Sequence, residues 1–309
     1  EISCSLVGSE MCIRDRSYGI DFNLNGDIIR NKNFTWNIGT NISWFKNKII
    51  KIDDQLDEFG NPASQPGNNW FIGKPINVYY DYITDGIYQY SDFDIAKGED
   101  GKEIYTLKPT IDTDGDGNPD KALEYTNPQE PGMIKIKDLN GDGKIDADDR
   151  TPISKDPDFI MSLTSSWNWK GIELFMDWYG VSGRKIRNGY LYDPNQGGSL
   201  QGKLNGVKVN YWTPNNPSNE FPRPSHNTNV SYQNALAIQN ASYIRLRTLQ
   251  LAYNFPKSLI SNIGLSKLRL YVTATNLLTF SDFLSYSPEL SAGAYPEGKQ
   301  FVFGLNVSF

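Results

Sequence analysis

The run Asp138-Leu-Asn-Gly-Asp-Gly-Lys-Ile-Asp-Ala-Asp-Asp149 sets hard oxygen donors at alternate positions of a short loop, which lets a few residues of backbone wrap one large divalent cation. Read as a calcium loop of about 12 residues, it has Asp138, Asn140 and Asp142 at the first, third and fifth places and Gly143 at the sharp turn. The Lys144 carbonyl, Asp146 and Asp149 take the seventh, ninth and twelfth. Aspartate in the last place has a shorter arm than glutamate, so two-oxygen ligation there is harder to reach. The entry segment Met133-Ile-Lys-Ile-Lys137 alternates like a strand, which predicts a static site in a β setting rather than a helix-loop-helix sensor. The competing reading is an Asn/Asp/Gly turn solvated without metal; the spacing favours structural Ca2+. A second run, Asp112-Thr-Asp-Gly-Asp-Gly-Asn-Pro-Asp120, offers Asp112, Asp114, Asp116 and Asp120 but has Leu123 in the twelfth place, with Glu124 one residue on. There the spacing leaves calcium and a bare polar turn equally open.

Other chemistry is scarce. The single histidine, His226, stands in Pro224-Ser-His-Asn227 and excludes paired-histidine metal motifs; a solvated loop position is its default. No Gly-rich phosphate loop of the G-x-x-x-x-G-K-[ST] type occurs. A net charge of -6 without a basic patch argues against nucleic acid. Carboxylate pairs could in principle serve glycoside hydrolysis, but the acids cluster in runs that ligation explains better. No enzyme is expected. Aromatic side chains are plentiful between the regular segments, and Trp70, Tyr79, Tyr82, Tyr190, Tyr192 and Trp212 are the candidates for stacking on a sugar ring. Packing within the loops is the alternative for each.

The elements that must carry these loops announce themselves by a period of two. Phe301, Phe303, Leu305, Val307 and Phe309 place an apolar side chain at every odd position. Tyr18 to Leu24, Phe34 to Trp44, Phe159 to Trp169, Ile172 to Trp178, Leu249 to Phe255 and Leu268 to Ala274 repeat the alternation, giving seven expected strands. Ile244 and Leu246 fall on the opposite phase from Leu249 and Leu251, which predicts a bulge or a strand end between them. A strand of about 10 residues tilted about 45° spans roughly 23 Å, close to the apolar band of an outer membrane. Short connections at 26–33, 170–171 and 256–265 alternate with long ones, the first at about 47–157. Tight turns on one side and long loops on the other are the habit of outer-membrane barrels, with the turns in the periplasm. The rival is a soluble antiparallel sandwich, a calcium-stabilised carbohydrate-binding or adhesion module, which would bury Trp36, Ile38, Trp44, Leu163 and Trp167 between two sheets. Seven strands leave two edges open, and lipid does not tolerate unpaired edge backbone, so a barrel reading makes this chain one piece of a larger barrel.

Both cysteines, Cys4 and Cys12, lie in a leader, residues 1–16, whose sequence resembles translated sequencing-adapter read-through. The native protein is then expected to begin near Ser17 and to continue upstream of what is present.

From residue 17 to the end, the chain resembles the C-terminal part of the SusC/RagA family of TonB-linked outer-membrane proteins. The stretches that carry the resemblance are Ile134-Lys-Ile-Lys-Asp-Leu-Asn-Gly-Asp-Gly-Lys-Ile-Asp146, Asp149-Arg-Thr-Pro-Ile153, Pro157-Asp-Phe159, Tyr179-Gly-Val-Ser-Gly183, Asn240-Ala-Ser-Tyr-Ile-Arg-Leu-Arg247, Leu251-Ala-Tyr-Asn-Phe-Pro256 and Leu270-Tyr-Val-Thr-Ala-Thr-Asn-Leu-Leu278. The resemblance implies an all-β fold, the last seven strands of a transmembrane barrel of about 22, in the outer membrane of a Gram-negative bacterium. It further implies import of glycans or peptides, energised by the TonB complex through a missing N-terminal plug and assisted by a SusD-like surface lipoprotein. Phe309, closing the final strand, matches the family's barrel-assembly signal.

Overall fold

The structure is a computed structural model that describes residues 13–53, 55–192, 209–224, 230–290, 294–295 and 297–309, except the side chains of Tyr190 and Tyr192. Seven long strands form one antiparallel sheet: β1 (Ile13–Arg30), β2 (Phe34–Ile52), β3 (Phe159–Trp169), β4 (Ile172–Ser182), β5 (Tyr243–Asn254), β6 (Lys267–Phe280) and β7 (Gln300–Ser308). Each pairs with the next in sequence, so the sheet is a pure meander. All seven expected strands are present, most of them longer than the alternation alone marked. β1 begins at Ile13, within the expected leader, and Arg16 lies opposite Lys48 of β2.

The period of two sorts every strand into an apolar face and a polar face. Ile20 lies opposite Trp44 and Phe22 opposite Ile42. Trp36 lies opposite Trp167, and Leu174 opposite Leu251. These side chains are left largely open to the surroundings: Ile20 is 67% exposed, Phe301 58% and Phe303 81%. Among the described residues no second sheet covers this face, since every other sheet is a pair of short strands. A sandwich would have sealed Trp44, Leu163 and Trp167 in a dry interior; they are 36%, 43% and 40% exposed instead.

The opposite face is a hydrogen-bonded polar layer. The Asn37 amide donates to Asn25 at 3.0 Å and to Asp27 at 3.1 Å. Further along, Arg269 donates to Glu173 at 2.9 Å and to Gln250 at 3.1 Å, while Asn254 donates to Glu173 at 2.7 Å. Tyr271 lies over Gly304 of the neighbouring strand: a Cβ there would meet the Tyr271 ring at 2.0 Å, so only glycine admits the aromatic. The phase change expected in β5 is a bulge, because Trp178 pairs with Leu246 and Asp177 with Thr248, leaving Arg247 as the extra residue. The bulge returns Ile244 and Leu246 to the apolar face.

Turns and loops alternate as the sequence implied. Residues 31–33, 170–171 and 255–266 close one end, the last holding an α-helical turn, Lys257–Ile260, that runs into a 3-10 turn, Ser261–Ile263. The long connections 53–158, 183–242 and 281–299 all leave from the other end.

Candidate functional site: the loop cap and its acidic loops

The first long connection is no structureless loop. Val78–Asp81 pairs with Thr151–Ser154, Thr84–Ile87 with Ile134–Ile136, and Phe93–Lys97 with Glu103–Leu107. In Ile134–Ile136 the alternation that marked a strand turns both isoleucines inward, and they meet Ile87, Ile145 and Trp212 in a core of their own. Trp212 and Tyr232 belong to the second long connection, so the two loops share one interior and form a single cap. Its centre is a tyrosine lattice. The Tyr88 hydroxyl donates to Tyr125 at 2.9 Å, and the Tyr125 oxygen accepts from the Ile136 N–H at 3.3 Å. Burial pushes the Tyr88 hydroxyl well above the usual tyrosine range, raises that of Tyr125, and takes that of Tyr232 up to about 12.

Both acidic runs sit on this cap, and their backbones follow one plan. Gly141 and Gly143 donate to the two oxygens of Asp138 at 2.6 and 2.9 Å. Gly115 and Gly117 do the same to Asp112 at 2.7 and 2.8 Å. All four glycines hold positive φ, between 76° and 89°, where a Cβ would be strained. The next links repeat too: Asp142 N–H to Asn140 and Lys144 N–H to Asp142 in one loop, Asp116 N–H to Asp114 and Asn118 N–H to Asp116 in the other. The loops lie against each other, for Glu124–Tyr125 pairs in parallel with Lys144–Ile145, and Lys121 Nζ reaches the Asp142 carbonyl at 3.4 Å.

They differ in two ways. Asp149 is fully buried and ties its loop shut, accepting from the Leu139 N–H at 2.8 Å and the Asp146 N–H at 3.0 Å. The other loop has no such clasp; Asp120 holds it by accepting from Thr113. Conversely, Asp112, Asp114 and Asp116 bring carboxylate oxygens within 4.8 Å of one another, the one such trio among the described residues. In the first loop Asn140 replaces the middle carboxylate. Hydrogen bonds from Gly117 and Gly115 hold the Asp112 carboxyl below its usual range; an N–H from Asn118 does the same for Asp116, and Thr113 for Asp120. The sequence separates these two loops by their twelfth residue, and the carboxylate trio falls in the loop that lacks an acid there.

Of the stacking candidates, Trp212 is corrected outright. It is 3% exposed, packed in the cap core, and its indole donates to Gln89 Oε1 at 2.8 Å, so almost none of its surface is left for a ligand. A long loop rich in aromatics looks ligand-binding in sequence when the loop is itself a folded unit that needs a core. Tyr79 has Lys155 at 4.5 Å and Arg187 at 4.9 Å from its ring centre, and Tyr82 has Arg150 at 5.1 Å and Tyr232 edge-on at 5.1 Å. Both rings serve packing of the cap. Trp70 stays half-exposed on a small bridge with Gln65. The Tyr190 and Tyr192 side chains and His226 lie outside the described residues.

The third long connection folds against the polar face of the sheet. Arg245 on β5, 4% exposed, donates to Glu289 at 2.7 Å and also pairs with Glu297, while its Nε reaches Thr279 at 3.0 Å. Arg247, the bulge residue, stacks its guanidinium 3.4 Å from the Tyr179 ring centre. These arginines are the two in the Tyr-Ile-Arg-Leu-Arg stretch. Alternation alone gave no sign that they clamp a loop.

No protein-family model matches the chain. Curated relatives do. The chain is 28% identical over 317 residues to TonB-dependent receptor P3 of Formosa agariphila, covering 94% of this chain and 28% of that protein. It is 25% identical over 308 residues to TonB-dependent receptor SusC of Bacteroides thetaiotaomicron, covering 95% of this chain and 26% of the relative. Among solved structures, a chain of the RagAB peptide transporter superposes with a TM-score of 0.60 at 23% identity, over 96% of this chain and 29% of its own length. The chain thus spans less than a third of the relatives it matches. Sequence likeness over nearly its whole length thus relates the chain to curated TonB-dependent receptors, SusC among them, and it shares its fold with part of a chain of the RagAB peptide transporter.

Proposed function

We propose that this chain is part of the wall and outer cap of a TonB-dependent importer in the outer membrane of a Gram-negative bacterium. The observation that carries the reading is the seven-stranded sheet with one open apolar face and one hydrogen-bonded polar face, an arrangement stable with hydrocarbon on one side and a water-filled lumen on the other. Further strands of the same barrel would cover the outer edges of β1 and β7, whose backbone lipid cannot satisfy. Energy would come from the TonB complex through a plug outside this chain, and capture of glycan or peptide would be shared with a SusD-like lipoprotein seated on the cap. The relatives' names support nutrient uptake: one is SusC, and the solved neighbour is a peptide transporter. Deleting the gene should abolish growth on the imported oligomer while leaving growth on its monomers intact. Unchanged uptake in the deletion strain, with no paralogue induced, would refute the assignment.

Calcium in the two acidic loops belongs to the same proposal. Each loop gathers side-chain oxygens behind a cradle of positive-φ glycines, and the cation would stiffen the cap rather than react. Titration of the chain with Ca2+ in detergent should show saturable binding that weakens in Asp138→Ala and in Asp112→Ala. Identical isotherms for all three proteins would remove the metal from the account.

A further inference from the structure

The two ends of the wall differ in charge. Both acidic loops sit on the cap, whereas every charged residue in the short turns at the other end is a lysine: Lys32, Lys170 and Lys257. Backbone bonds set these turns in a row. The Lys170 N–H donates to the Asn33 carbonyl at 3.3 Å and the Asn254 N–H to the Gly171 carbonyl at 2.8 Å, so Lys170 stands between Lys32 and the chain leading into Lys257. All three lysines are exposed, and among the described residues none pairs with a carboxylate. The Lys170 ammonium lies 5.6 Å from the centre of the Trp169 ring, which is 52% exposed on the apolar face. That contact keeps the charge beside the apolar side of the turn.

Directly beyond the turn, the apolar face is hollowed. Ile172, Tyr253 and Leu270 are neighbours across β4, β5 and β6, and Leu251, Val272 and Phe303 form the next row across β5, β6 and β7. These six side chains line one open, apolar groove of about 540 Å³. Ile172 follows the Lys170-Gly171 turn at once, so the groove opens at the row of lysines and runs up the wall to Phe303.

We propose that this groove holds one acyl chain of an anionic phospholipid whose phosphate rests on Lys170, flanked by Lys32 and Lys257. A lysine stem lies along apolar surface while its ammonium reaches the level of the head groups. In a bilayer the groove gains no hydrophobic free energy over contact with other lipid tails, only closer packing. Choice among lipids therefore falls to the lysines, each worth roughly fivefold in favour of an anionic membrane surface. The acidic loops at the far end make the preference one-sided. The proposal rests on the membrane-wall reading and adds to it a lipid of defined charge at a defined place.

Native mass spectrometry tests it, on the full chain released from detergent that holds equal amounts of phosphatidylglycerol and phosphatidylcholine with the same acyl chains. The chain is expected to retain phosphatidylglycerol over phosphatidylcholine by about fivefold or more. Lys170→Gln should cut that ratio by about fivefold, Lys170→Arg should keep it, and Lys97→Gln, exposed on the cap, should leave it unchanged. Val272→Trp fills the groove and should reduce the phosphatidylglycerol retained. Equal retention of the two lipids, an unchanged ratio in Lys170→Gln, or unchanged retention in Val272→Trp would overturn the proposal. So would displacement of the lipid by an equal concentration of glycerophosphate, which would mark a phosphate site that makes no use of the groove. Accessibility at Phe303 in bilayers separates the failures: no lipid preference with Phe303 shielded from water ends this proposal alone, and a Phe303 open to water ends the wall reading with it.

Discussion

The wall and the cap obey opposite packing rules within one chain. In the cap, Phe93 is 3% exposed and Ile136 1%, as water demands. In the wall, Phe303 is 81% exposed while its neighbour Gly304 sits beneath Tyr271 on the polar side. Both regions are mainly antiparallel β with the same alternation, so pattern alone does not say which face is inside; the solvent on each face does. The strands Ile134–Ile136 and β7 show this most clearly. One hides its apolar residues against another loop; the other leaves them open, as the proposed hydrocarbon surroundings require.

The contrast can be broken by mutation. Ile136→Ala should cost the cap about 2–4 kcal/mol, because a fully packed isoleucine leaves a cavity, whereas Phe303→Ala should leave cap melting unchanged. Differential scanning calorimetry in detergent separates the two. Phe303→Arg should cost about 2–4 kcal/mol in bilayers near the midplane, measured by denaturant titration after insertion into vesicles. A cost near zero there would mean that water, not lipid, meets this face. Asp149→Ala should cost about 1–3 kcal/mol, since it removes the buried carboxylate that the part-buried Leu139 and Asp146 N–H groups bond to; hydrogen exchange at those two amides reads it directly.

The smallest effect is chemical. Tyr88, Tyr125 and Tyr232 have raised hydroxyl pKa values, so the stability they lend is full below pH 10, the ordinary tyrosine value, and is lost as pH climbs above it, Tyr232 titrating at about 12 and Tyr88 later still. Absorbance at the phenolate band should show these three titrating late, together with loss of the cap. At the acid end, the depressed carboxyls of Asp112, Asp116 and Asp120 keep their loop formed above the ordinary value of 3.8 and release it only as pH falls further.

How far the sequence reached differs by region in the same way. Each wall strand was legible because a one-sided sheet must alternate, and the bulge at Arg247 was legible because the alternation broke there. The cap was not, because its pieces are two to five residues long and their partners lie far off, as with Ile87 and Ile134. Met133 to Lys137 read correctly as a strand, but nothing local said that Trp212 would complete its core. The two acidic loops were legible as motifs. Their mutual contact and the convergence of Asp112, Asp114 and Asp116 needed the fold.

The most direct test places a nitroxide label on adjacent residues of β7, through Phe303→Cys and Val302→Cys, with Cys4 and Cys12 replaced by serine, and reads collision rates with oxygen and with a water-soluble nickel complex in lipid bilayers. The account predicts that the label at 303 meets oxygen and is shielded from nickel, and that the label at 302 shows the reverse. Equal exposure of both labels to nickel would contradict it.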